Sequence, residues 1–171
     1  MENRPLVSVV MGSQSDLETF KETANVLKEF GIPHEIRVIS AHRTPAAAHT
    51  FAVSAEERGV KLIIAGAGKA AHLAGVLASL TLVPIIGVPM QTSDLGGLDS
   101  LLSTVQMPGG IPVATVAIGK AGAKNAGLLA VAILSLGDKA LRARLAAYRE
   151  KMTREVQDAD RKLQESGLAS A

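Results

Sequence analysis

The chain has no cysteine. Disulfides, thiol nucleophiles and thiolate metal sites are therefore excluded. It has no tryptophan, one tyrosine and three phenylalanines. The interior must be built from Ala, Val, Leu and Ile, which suits close packing of helices on a sheet. No basic run or series of aromatic residues points to nucleic acid, since the formal net charge of +2 comes from Lys and Arg spread along the chain. No uninterrupted apolar run has membrane length. Residues 70–88 come nearest, but Gly, Pro and Thr break them, so they read as helix, loop and buried strand. Met1-Glu2-Asn3-Arg4-Pro5 has no signal-peptide pattern, and the cytoplasm is the expected compartment. No histidine pair has zinc spacing and no carboxylate cluster accompanies the four histidines, so no metal is expected. There is no Walker loop, no G-x-G-x-x-G fingerprint and no G-x-S-x-G elbow.

What is present is a β-α repeat. Leu6 to Met11 is a short β-rich run with few polar residues, the pattern of a buried parallel strand. Leu17, Phe20, Ala24 and Leu27 recur at helical spacing, and Gly31 with Pro33 ends that helix. Glu35 to Ile39 alternates as a second strand. A helix follows from Pro45 to about Glu57, then a strand from Val60 to Ala65 and a small-residue helix ending near Leu80. Pro84 to Pro89 reads as the fourth strand, Leu98 to Ser103 as a short helix, Val113 to Ile118 as the fifth strand, and Ala123 to Leu136 as an apolar helix. Asp138 starts a long charged helix reaching about residue 165, and Ser166 to Ala171 is expected to fray. The economical fold is α/β: a three-layer αβα sandwich of flavodoxin or Rossmann type, with a five-stranded parallel sheet and a long C-terminal helix. All 171 residues are expected to form one domain, with a core from about 6 to 136.

Three turns at strand ends carry the candidate chemistry. In an open α/β sheet, ligands bind outside the carboxyl ends of the strands. Gly12-Ser13-Gln14-Ser15-Asp16 offers close backbone approach, two serine hydroxyls and helix N–H groups that suit a phosphate, and Asp16 suits ribose hydroxyls. A plain capping turn would use the same residue types. Ser40-Ala41-His42-Arg43-Thr44-Pro45 places a histidine and an arginine on a short strand-to-helix turn, with Thr44 able to cap and Pro45 in the first helical turn. A histidine there can carry a proton near neutral pH, and Arg43 can hold a phosphate or carboxylate. Gly66-Ala67-Gly68-Lys69-Ala70-Ala71-His72 again runs from a strand into a helix N-terminus whose amides could bind an anion; glycine used for tight turning and close packing is the alternative. His34 and His49 read as structural or exposed.

Together, in this order, the three turns resemble the bacterial class I phosphoribosylaminoimidazole carboxylase catalytic subunits, the N5-carboxyaminoimidazole ribonucleotide mutase family of purine biosynthesis. The matching stretches are 11–16, 40–45, 65–68 with 70–73, 98–108 and 125–129, so the resemblance spans about residues 6 to 150. It implies a cofactor-independent enzyme that moves a carboxylate from the exocyclic nitrogen of a ribonucleotide to ring carbon C4. It implies a homo-octamer with sites at subunit junctions, and it leaves open hand-over of the labile substrate from the synthetase that forms it. By the family's motif, His42 is the acid–base residue, and Ser13, Asp16 and Arg43 bind the nucleotide beside Gly12, Ser15, Ser40 and Ala41. Gly66, Ala67, Gly68, Lys69, Ala70, His72 and Leu73 belong to the loop over the base and the transferred carboxylate. No nucleic acid or membrane partner is implied.

Two positions depart from the family pattern. Lys69 stands where Gly is usual, and Ala74 where Pro is usual. A left-handed backbone at the first would strain a lysine, and alanine at the second loosens a rigid turn. The nearest rival is the class II enzyme, which carboxylates aminoimidazole ribonucleotide directly with CO2. There Lys-Gly replaces the Arg43-Thr44 pair, so this chain resembles the mutase more. A non-catalytic nucleotide-binding module and a purely structural oligomer are the remaining alternatives.

Overall fold

Val7 to Met11 forms β1 and is buried at every position, because strands enter on both sides of it and helices cover it above and below. A computed structural model describes residues 4–166. Its contact pattern divides the chain into two units, the second beginning at Val131.

In the first unit, β1 pairs with β2 (His34–Val38) and β3 (Leu62–Ala67), β3 with β4 (Ile85–Pro89), and β4 with β5 (Ala114–Thr115). All pairings are parallel, in the order β2-β1-β3-β4-β5. The chain steps outward from β1 to β2 and then back across to β3. That reversal opens a crevice at the carboxyl ends of β1 and β3, the usual ligand position in such a sheet.

The pleat divides the core. Val10, Ile63, Ala65 and Ile85 pack with Phe51 of α2 (Pro45–Val53) and with Leu73 and Leu77 of α3 (Leu73–Ala78). On the other face lies α1 (Leu17–Glu29), whose buried Phe20 meets β3 at Gly66. Thr23 of α1 is buried and donates its hydroxyl to the carbonyl of Ala123 at 2.7 Å, tying α1 to α5 (Gly119–Leu134). Gly122 allows α5 to start close to the preceding segment, since a Cβ there would lie 1.6 Å from the Ala117 carbonyl oxygen. The short helix α4 (Leu98–Val105) packs over β4 and starts at Gly97, whose φ is 96°.

Several sequence expectations shift. The helix after His42 stops at Val53, not Glu57: the Ser54 hydroxyl bonds back to the Phe51 carbonyl, and the chain tightens to Gly59 at φ 85°. The fifth strand keeps only Ala114–Thr115 of the expected 113–118, because the chain leaves the sheet edge after Val116 bonds to the Gly87 carbonyl. An apolar run alone does not separate a strand from an irregular buried segment. α3 ends at Ala78 rather than near Leu80, where the Ser79 hydroxyl turns back onto the Val76 carbonyl. β2 does not follow a simple apolar-in reading: Ile36, Arg37 and Val38 are all exposed, Val38 by 55 %, and Glu35 is half-buried.

Glu35 is inward because it has partners. Its register mate Ser8, fully buried on β1, donates to Oε1 at 2.6 Å, Arg58 donates to the same oxygen, and Arg37 lies 3.5 Å from Oε2. Arg58 also stacks over the Phe51 ring. Burial raises the Glu35 pKa, but the Ser8 and Arg58 hydrogen bonds and the two arginine charges outweigh it and leave it below the ordinary value of 4.5. A carboxyl whose pKa falls on folding stabilises above its unfolded value and loses that contribution as pH drops through the folded one. Glu35→Gln is therefore expected to cost about 1 to 2 kcal/mol at neutral pH. It should also flatten the stability loss below about pH 4.5, read as urea midpoints across pH.

The second unit is dominated by α6 (Lys139–Glu165). Asp138 caps it, its carboxylate accepting from the Leu141 N–H at 2.9 Å. Leu141 and Leu145 are buried one turn apart, and the rest of the helix carries exposed pairs such as Asp158–Arg161 at 2.7 Å. The expected fraying from Ser166 onward lies almost wholly outside the described residues. Among those described, no helix is long and apolar enough to cross a membrane.

Candidate active site

The turns after β1, β2, β3 and β4 line one cleft of about 510 Å³ at the carboxyl end of the sheet. Gly12 is held by its N–H bond to the Gly66 carbonyl at 3.1 Å, which brings the first and third turns together. Ser13 precedes a single 3-10 turn, Gln14–Asp16, that leads into α1. Its hydroxyl accepts from the Ser15 N–H at 3.3 Å and from the Ser15 hydroxyl at 2.9 Å. Partial burial raises the Asp16 pKa, against the smaller lowering effect of the Ser15 hydroxyl.

The second turn is wound on Ser40. Its hydroxyl accepts from the Arg43 N–H at 3.2 Å and Nε at 3.4 Å, while the Arg43 Nη2 donates to the Gly12 carbonyl at 2.8 Å. Thr44 occupies the cap position of α2 but does not cap with its side chain. Its hydroxyl instead donates to the Ser40 carbonyl at 2.9 Å and accepts from the Ser40 N–H at 3.0 Å. Arg43 thus bridges two turns, and His42 beside it faces the cleft.

His42 has a partner that local sequence does not reveal. Its Nε2 lies 2.9 Å from His72 Nδ1, with the rings edge to face at 89°. Such a contact needs one protonated and one bare nitrogen, so one ring donates an N–H to the other. His72 is the cap residue of α3, held there by its N–H bond to the Ala70 carbonyl at 2.9 Å. His34 bonds the Ile32 carbonyl with its ring, and His49 is exposed on α2; neither lines the cleft.

Lys69 is the one non-glycine residue with positive φ among the described residues, at 60°. That backbone costs an L-residue about 1 kcal/mol, and the neighbours hold it in place. The Lys69 N–H donates to the buried Ser100 hydroxyl at 2.9 Å, its carbonyl accepts from Ser103 at 3.4 Å, and its ammonium pairs with Asp94 at 2.6 Å. Hydrogen bonding and charge from Asp94 raise the lysine pKa, and the lysine lowers that of Asp94 by the same contact. Ala74, the other departure, is buried in the first turn of α3.

Of the fifteen residues that the family resemblance assigns to the site, all but one line this cleft. The exception is Gly66, which lies beneath it: a Cβ there would fall 2.4 Å from Phe20 Cζ and 2.7 Å from Met90 Cε. Its role is close packing of the floor. The cleft wall that the sequence reading missed is Met90, Gln91, Thr92 and Ser93, after β4. The signal was the same as for the other turns, a polar loop at a strand's carboxyl end, but without a histidine or a glycine cluster to mark it.

The model of the family described as AIR carboxylase matches residues 6–155. The chain belongs to the AIR carboxylase family. It is 56% identical to the N5-carboxyaminoimidazole ribonucleotide mutase of Pyrococcus horikoshii, over 96% of this chain and 92% of that protein. It is 53% identical to the protein of the same name from Thermotoga maritima, over 95% and 94%, and 56% identical to that of Bacillus subtilis, over 90% and 94%. The AIR carboxylase fold extends to a crystal structure of Treponema denticola PurE, with a TM-score of 0.85 at 34% identity, covering 94% of this chain and 99% of that one.

Proposed function

We propose that this cleft converts N5-carboxyaminoimidazole ribonucleotide to 4-carboxy-5-aminoimidazole ribonucleotide, with His42 as the acid–base group. The activity is that of an N5-carboxyaminoimidazole ribonucleotide mutase, an isomerase of de novo purine biosynthesis, as in the relatives above. The observation that carries the assignment of roles is the His42–His72 contact at the cleft, flanked by the Ser13–Asp16 turn and Arg43.

The chemistry asks little beyond this. The carbamate N–C bond breaks, CO2 leaves with its oxygens, and the exocyclic nitrogen takes a proton. The remaining aminoimidazole is an enamine, nucleophilic at C4, and attacks the retained CO2. The C4 proton is then removed. One histidine can donate in the first step and accept in the second, and the His72 ring can share the proton between them. Arg43 and the serine turn anchor the phosphate, the helix N-terminus adding its N–H groups. Asp16 takes the ribose. The loop from Gly66 to Leu73 covers the base and keeps CO2 beside C4, so that recombination needs only positioning and exclusion of water. No cofactor enters this scheme.

The proposed working form is a homo-octamer in the cytoplasm, receiving its labile substrate from the synthetase that makes it. Association of the chain is supported by exposed apolar surface: Ile36 and Val38 on the edge strand, and Leu98, Leu102 and Val105 at helical spacing on α4.

The test is an assay of both substrates. Turnover of the carbamate, with little or none of aminoimidazole ribonucleotide plus bicarbonate, is expected. The reverse pattern would replace the mutase with a direct carboxylase.

A further inference from the structure

We propose that Lys69 and Asp94 form a latch across the rim of the cleft that keeps the CO2 intermediate from escaping. The inference rests on the mutase reading and concerns residues that carry no proton in the reaction. Lys69 is therefore a positioning residue.

Three observations lead to it. First, the pair joins two walls of the same cleft: Lys69 sits in the turn after β3, and Asp94 follows the wall segment Gln91–Ser93 after β4. Second, both side chains are exposed, by 68 % and 56 %, so the bond lies at the rim and not in the floor. Third, the lysine is built into a backbone conformation that suits glycine, and its main chain is anchored on α4 by Ser100 and Ser103. A glycine at this position would leave the turn without a side chain to reach the opposite wall. The lysine accepts a strained backbone and in return spans the opening.

The mechanism explains why a rim contact has a measurable role. After the carbamate breaks, CO2 is neutral and small, and no charge holds it in the cleft. Its fate is a competition between attack by C4 and diffusion through the opening. An exposed ion pair is worth little, so its loss should raise the population of the open rim by about two- to fivefold. That changes the partition between recapture and escape and leaves the acid–base group untouched.

The measurement is retention of label. Substrate with carbon-13 in its carbamate is turned over in excess unlabelled bicarbonate, and the label retained in the product is compared with an enzyme-free control for spontaneous loss. Asp94→Asn is expected to raise label loss by about two- to fivefold. Lys69→Gly should do the same while also freeing the backbone. Lys69→Arg, which keeps a cation on a long arm, should restore retention. The unsubstituted enzyme at about 1 M salt, where the screening length is roughly 3 Å, should leak more than at low salt but less than Asp94→Asn, since the 2.6 Å contact lies within that length. If Asp94→Asn and Lys69→Gly keep the label as well as the parent, the latch is wrong. A lower KM in Asp94→Asn with full retention would also overturn it, making Lys69 an anion ligand that Asp94 restrains. Failure of the mutase reading would look different: the parent enzyme would form no labelled product at all.

Discussion

His42→Asn is expected to lower kcat by about 10²- to 10⁴-fold, the range that a positioned acid–base group supplies. Nucleotide affinity should stay within a few-fold of the parent value. The two outcomes separate because the turn does not depend on the His42 side chain. Its backbone is wound by Ser40, Thr44 and the Arg43 N–H, and Arg43 reaches Gly12 from the neighbouring turn. His42 itself is exposed, so asparagine at this position opens no cavity. Asparagine keeps polarity and rough size but neither gives nor takes a proton at neutral pH. On the proposed mechanism both halves of the reaction lose their proton carrier, and the ring contact with His72 is lost with it. Steady-state kinetics on the carbamate, with calorimetric titration of the product nucleotide, reads both quantities. Turnover within about tenfold of the parent would remove His42 from the acid–base role, since even the weakest such groups contribute more. Loss of binding in parallel with kcat would instead make it an anchor.

Phe20→Ala is expected to destabilise the fold by about 3 to 5 kcal/mol. Phe20 is fully buried on α1, and its ring tip reaches the backbone of β3 at Gly66, beside Met90. The space that glycine leaves at position 66 is filled by that ring, so alanine at 20 opens a cavity directly under the site. Domains of this size hold only about 5 to 15 kcal/mol in total. The loss should appear as a fall in Tm on the order of 10 °C. Because the Gly66 carbonyl receives the Gly12 N–H, turnover is expected to suffer before unfolding does. Gly66→Ala tests the same contact from the other side, by overpacking. Combined with Phe20→Leu, it should cost less than the two changes add up to, because the smaller side chain gives way to the new methyl. Additive costs would show that ring and strand do not share the space.

The fold was legible because its signals are local. β1, β3 and β4 announce themselves as short apolar runs, α1 by its helical period, and the strand ends by glycine and serine turns. Apart from the ends of α2 and α3, what misled lay at the sheet edges. β5 has a full apolar run yet pairs at only two residues, and β2 alternates yet exposes Ile36 and Val38. At an edge, one neighbour is missing, so hydrophobic pattern no longer tells which face or how many residues are held.

The amino-acid sequence by itself determined the β-α order, three of the four turns around the cleft, and the family. These depend on residue type, spacing and short-range backbone preference. The tertiary structure decided which of those residues meet. His42 and His72 are 30 positions apart and come within 2.9 Å only because β2 and β3 end beside each other across β1. Lys69 finds Asp94 and Ser100 because β3 and β4 are neighbours and α4 packs on β4. Contacts of this kind are set by strand order and register, which bring distant positions to the same edge of the sheet, and no local pattern in the chain encodes them.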